Sequence, residues 1–142
     1  MGSRLHRDER GFTLVELLVV ILIIGILFAI VLPAFLNQRA KGQDAEAKAA
    51  VSLVETALII YQQDRDTFAG ADHNALAEID PGVRDVPPYT IVGADEDSFE
   101  LRVTSQSGAS GGGPFIVEHD DGASARSCAQ PGQGGCPDSG RW

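Results

Sequence analysis

Cations are scarce in this chain: 11 Lys and Arg stand against 20 Asp and Glu, a formal net charge of −9. Three of those cations, Arg4, Arg7 and Arg10, lie within the first eleven residues, and no basic patch follows. That pattern excludes a nucleic-acid site built on phosphate contacts, and an acidic exterior suits solubility outside the cell. A second long apolar run is lacking, so a multi-span membrane protein is excluded. Cysteine is limited to Cys128 and Cys136, and histidine to His6, His73 and His119, scattered without a ligand pattern. Two cysteines without a nearby His pair make a poor zinc site. Roughly 75 residues follow the first helical stretch, too few for most catalytic folds. No enzyme, cofactor or metal is expected.

What the chain does have is one greasy segment on a polar remainder. Residues 12–36 hold 21 of the 62 apolar residues, and Leu17 to Leu32 contains no polar side chain. As a helix those 25 residues rise about 37 Å, enough for one crossing of a bilayer core about 30 Å thick. The arginines precede the run, which sets the N-terminus in the cytoplasm. A cleaved secretory signal would end at an A-x-A-like site, but the run ends at Leu32-Pro33-Ala34-Phe35. A plain anchor leaves two residues unexplained. Glu16 places a carboxylate inside the apolar run, and Pro33 has no N–H to donate in a helix. Thr13-Leu14-Val15-Glu16 also fits the capping box S/T-x-x-E, which would explain Glu16 locally.

The residues Gly11-Phe12-Thr13-Leu14-Val15-Glu16-Leu17-Leu18-Val19-Val20 resemble the processing site of type IV prepilins and the related pseudopilins. The resemblance implies a cytoplasmic leader over residues 1–11, cut between Gly11 and Phe12 by a membrane aspartyl peptidase. N-methylation of Phe12 follows from the same likeness. Gly25 and Pro33 fall where the family's first helix has its helix-weakening glycine and proline. After such a cut the Phe12 amine is a cation one helical turn from Glu16. Each charge is costly in apolar surroundings unless paired. Pairing Phe12 of one subunit with Glu16 of its neighbour would offset both costs and set the axial register. The capping box can coexist with that pairing in the monomer.

Beyond residue 36 the expected fold is α+β. Ala47, Ala50, Val51, Val54, Ala57, Leu58 and Tyr61 follow i, i+3, i+4 spacing, with Asp44, Glu46, Lys48 and Glu55 off that stripe. One long helix from about Phe12 to Gln63 is therefore expected, divided into an assembly segment (12–36) and an amphipathic continuation (37–66). The second part should dock on a small antiparallel sheet in residues 67–142. Asp72 suits a cap for a short helix over Asn74–Ile79. Strands are expected at Tyr89–Val92, Phe99–Val103 and Phe115–Glu118, in a three-stranded meander with room for a fourth short strand near the C-terminus.

Cys128 and Cys136 sit in a glycine-rich tail, since residues 105–142 hold 9 of the 16 glycines. A head outside the cell would favour their disulfide over two thiols, and the loop resembles the disulfide-bounded region of many true pilins. Gly108-Ala109-Ser110-Gly111-Gly112 matches G-x-S-x-G, but Gly113-Pro114 and a strand follow where a nucleophile elbow needs a helix. A flexible loop is the expected role of those glycines. Asp95-Glu96-Asp97 and Asp120-Asp121 lack EF-hand spacing and read as turns; pseudopilins can carry calcium in the head, which keeps Asp120 and Asp121 as candidates. Trp142 is expected on the head or on a neighbouring subunit.

The functional expectation is a structural subunit of a type IV pilus-like filament. Before assembly it spans the bilayer once, and afterwards it lies in an extracellular fibre. Its partners are further copies of itself, the prepilin peptidase and N-methyltransferase, the membrane assembly machinery and the lipid. The alternatives are a pseudopilin of a type II secretion or competence system and a membrane-tethered binding domain that does not polymerise.

Overall fold

The computed structural model describes residues 11–142. The expected leader, apart from Gly11, lies outside the described residues. One helix, α1, runs from Leu14 to Arg65. The chain divides into two compact units at Ala34–Phe35.

In the first unit the described residues from Leu14 onward are all helix. Every large apolar side chain from Phe12 to Leu32 is exposed, and helix α1 is long and apolar enough to cross a membrane. Pro33 lies inside the helix without ending it.

The second unit holds the rest of α1, a short helix α2 (His73–Ile79), a 3-10 turn at Pro81–Arg84 and four strands. The strands are β1 (Tyr89–Val92), β2 (Ser98–Val103), β3 (Phe115–Asp120) and β4 (Ala123–Cys128). They form an antiparallel meander in the order β1-β2-β3-β4. Alternation decides which face is buried. Phe99, Leu101 and Val103 of β2 and Phe115 and Val117 of β3 point to the core, while Glu100 and Glu118 oppose each other on the outer face. Ala47, Ala50, Val51, Val54, Ala57, Leu58 and Tyr61 of α1 complete that core. The fourth strand is set by the tight Asp121-Gly122 turn, in which both residues take positive φ.

Helix α1 ends where Asp66 adopts φ 56°. Phe68 then folds in, fully buried, with its ring edge on Phe99 at 4.8 Å. Asp72 caps α2 by accepting from the Ala75 N–H at 2.8 Å.

Contrary to the expectation that it lies off the buried stripe of α1, Asp44 is 0% exposed. The reason is tertiary: loops far along the chain close over it and supply its hydrogen bonds. Lys48 and Glu55 are half-buried for a similar reason, whereas Glu46 stays exposed.

Candidate functional site

Three groups of residues carry the functional question. The first is the start of α1. Thr13 donates to Glu16 Oε2 through its backbone N–H (3.0 Å) and its hydroxyl (2.8 Å), and the Glu16 N–H donates back to Thr13 Oγ1 (3.2 Å). The capping box is therefore formed within one chain. All of these contacts are exposed, and the carboxylate lies at the surface of the helix. Phe12 beside it is 72% exposed. Gly11 and Gly25 have open space around them: a Cβ at either position would meet nothing within 4 Å. The chain's own packing thus gives no reason for a glycine at either place.

The second group is the cysteine loop. Cys128 and Cys136 are bonded, both buried, with Cα atoms 5.9 Å apart. Backbone bonds tie the loop to the segment before β3, with Ala129 N donating to Pro114 O and Gln130 N to Gly112 O, each at 3.1 Å. Trp142 folds back over this region. Its indole N–H donates to Ser127 O at 2.9 Å, and its ring meets Phe115 edge-on at 5.6 Å.

The third group centres on Asp44, which sequence reasoning missed. Oδ1 accepts from the hydroxyls of Ser105 (2.5 Å) and Ser107 (2.7 Å), and Oδ2 accepts from the backbone N–H groups of Gly112 (2.8 Å) and Gly135 (2.7 Å). Lys48, one turn on, donates to Gly135 O at 2.7 Å and lies 5.3 Å from the ring centres of both Phe115 and Trp142. Burial disfavours the Asp44 carboxylate and is the largest single influence, but the donors at Gly112, Gly135, Ser105 and Ser107 together outweigh it. The carboxyl is held below its ordinary range. One carboxylate on α1 thus fastens the loop before β3 and the disulfide loop at once.

The glycines of these loops serve close approach, which corrects the expected flexible loop. A Cβ on Gly112 would lie 2.7 Å from Cys136 N, and one on Gly135 would lie 2.9 Å from Asp44 Cβ. Ser110 sits in a 3-10 turn (Gly108–Ser110), not in a strand-to-helix elbow. A signal for Asp44 did exist. Stepping back from Ala47 by three and then four residues gives Asp44 and Ala40, both buried.

A second polar cluster joins α1 to β4. Glu55 accepts from Arg126 at 2.6 Å and from Ser124 at 2.9 Å, and Ser124 bonds His119 Nδ1 at 2.9 Å. Among the described residues, no three His, Cys, Asp or Glu side chains are placed to hold a metal ion, Asp120 and Asp121 included.

The family described as "Prokaryotic N-terminal methylation motif" matches residues 6–32. The chain is 33% identical over 96 residues to the type IV wide pilus major component PilA4 of Thermus thermophilus, covering 66% of this chain and 71% of that protein. It is 39% identical over 67 residues to the type IV major pilin protein PilA of Myxococcus xanthus, covering 47% of this chain and 30% of the relative. It is 35% identical over 71 residues to the type II secretion system core protein G of Vibrio cholerae, covering 50% and 49%. The chain thus spans less than half the length of several of the relatives it matches.

Proposed function

The chain belongs to the type IV pilin family, and from that premise we propose that it is a filament-forming subunit, cut after Gly11, N-methylated at Phe12 and polymerised through residues 12–36. Family membership makes it a structural protein and not an enzyme. The observation that carries the filament reading is the apolar surface beside Glu16. Nineteen large apolar side chains from Phe12 to Leu36 are exposed. Covering them is worth on the order of 20–40 kcal/mol, more than the roughly 5–15 kcal/mol that holds a domain folded. Such a surface belongs in lipid or against other copies of itself, and exchange between those two surroundings is what assembly asks of it.

Glu16 gives that exchange a register. The Thr13 bonds occupy Oε2 and leave Oε1 open to a neighbour's amine. Gly25 and Pro33 would let the helix loosen during extraction from the bilayer. The processing enzyme and the membrane assembly machinery are the implied partners. The bilayer is crossed once, with the N-terminus cytoplasmic, before the fibre becomes extracellular. In the same reading residues 1–11 are the leader, 12–36 the assembly helix, 37–66 its continuation and 67–142 the head.

A second reading, a pseudopilin of type II secretion, is favoured by the likeness to core protein G. Electron microscopy of sheared cell surfaces tests the choice. Abundant fibres whose subunit begins at Phe12 are expected. A secretion defect without surface fibres in a deletion strain would decide for the pseudopilin.

A further inference from the structure

Between Glu16 and Asp44 the only charged residues are Arg39 and Lys41, both cations. Residues 44–142 carry 17 acidic and 6 basic side chains, so these two cations form a basic collar below an acidic head. Both are exposed, and among the described residues neither forms an ion pair. Each lines a cleft at the start of the second unit. Lys41 shares one of about 370 Å³ with Asn37, Ser110 and Gln133. Arg39 shares one of about 230 Å³ with Leu36, Gln43 and Gln106. One wall of each cleft is α1 and the other comes from the loops that Asp44 fastens to it, so the clefts are formed before any ligand arrives.

We infer that Arg39 and Lys41, with the clefts they line, hold the headgroup phosphates of anionic phospholipids in the outer leaflet. The inference rests on the membrane stage of the function proposed above. Its depth follows from helix rise. Arg39 and Lys41 lie three and five residues past Leu36, about 4.5 and 7.5 Å along the axis. A headgroup layer about 5–7.5 Å deep begins where the apolar run ends, so Arg39 falls within it and Lys41 at its outer edge, both within side-chain reach of the phosphates. The chemistry matches as well. A phosphate can accept from Lys41 Nζ, the Asn37 and Gln133 amides and the Ser110 hydroxyl in one cleft, and from the planar Arg39 guanidinium in the other. The acidic head is repelled by an anionic leaflet, and the collar supplies the attraction that seats it. A second copy's acidic surface could also meet these cations, but the clefts adjoin the end of the apolar run, where lipid is the neighbour before assembly.

The test uses the full chain in nanodiscs of equal phosphatidylglycerol and phosphatidylcholine, with retained lipids counted by native mass spectrometry. The wild type should retain phosphatidylglycerol preferentially, by roughly fivefold per collar cation. Arg39→Gln with Lys41→Gln should abolish that share of the preference, and Arg39→Lys with Lys41→Arg should keep it. Arg4, Arg7 and Arg10 are common to every variant, so the difference isolates the collar. Unchanged Trp142 emission reports an intact head. A double Gln variant with the wild-type lipid preference overturns the inference. If that variant instead loses only filament yield, the cations belong to contacts between copies, and the lipid site is again refuted. Filament yield reads the function proposed above separately, since lipid retention needs no polymer. A chain that fails to enter the bilayer overturns the membrane stage and the lipid site together.

Discussion

Asp44 offers the sharpest test of how the head is held together. Replacing it with Ala removes an acceptor for four donors. The Ser105 and Ser107 hydroxyls lie 2.8 Å apart and can satisfy each other. The N–H groups of Gly112 and Gly135 have no such recourse, and a buried unpaired donor costs about 1–3 kcal/mol. Asp44→Ala should therefore lower stability by roughly 3–5 kcal/mol, counting the lost charge assistance. Asp44→Asn is different. Its amide oxygen can take both N–H donors while its NH2 faces the two hydroxyls, which rotate to accept. Only the charge is lost, so Asn should cost about 1–2 kcal/mol. The pH dependence has a definite sign. The folded carboxyl titrates below its ordinary value, so its contribution is complete above about pH 4, the unfolded range. It is lost as pH falls through the folded value, and the gap between wild type and Asp44→Asn should narrow there. The assay is denaturant unfolding of detergent-solubilised full chain, followed by Trp142, which packs against Phe115 beside the Asp44 loops. An Asp44→Ala chain within about 0.5 kcal/mol of wild type, inside the ordinary range of surface substitutions, would refute the reasoning. So would an Asn variant that is no more stable than Ala.

Three further outcomes are expected. Mass spectrometry of filament or membrane material should find a subunit beginning at Phe12 with a methylated amine, and Gly11→Val should block the cut without unfolding the chain, because a Cβ at Gly11 meets nothing within 4 Å. Glu16→Ala should leave the membrane-inserted subunit folded and processed yet strongly reduce sheared-filament yield. Glu16→Gln should assemble almost as poorly, because an unpaired amine in apolar surroundings costs about 3–5 kcal/mol per subunit; normal filaments from both variants would remove the ion-pair mechanism. Cys136→Ser should lower head stability by roughly 2–3 kcal/mol without affecting insertion, measured by unfolding midpoint against membrane fractionation.

Whatever depends on neighbours along the chain was legible in the residues alone. The apolar run is a matter of composition and the Gly11-Phe12 junction with Glu16 a short motif, while the amphipathic part of the long helix and the alternating strands β2 and β3 are local patterns of period 3.6 and 2. The Asp72 cap needed only its own next three residues. Strand β4 reads weakly because Ala123–Cys128 is mostly small and polar, with the first three positions exposed; its pairing to β3 comes from the Asp121-Gly122 turn and from that neighbour. The buried stripe stepped back from Ala47 reaches Asp44, but what lets a carboxylate be buried there depended on tertiary structure. Its donors at Ser105, Ser107, Gly112 and Gly135 lie 61 to 91 residues away. No spacing rule reaches that far, because a carboxylate on a helix reads as solvated until the fold brings enough donors to outweigh its desolvation. The same holds for the tail glycines. They read as slack in the sequence, and only the packing of Gly112 against Cys136 and of Gly135 against Asp44 made the missing Cβ a requirement.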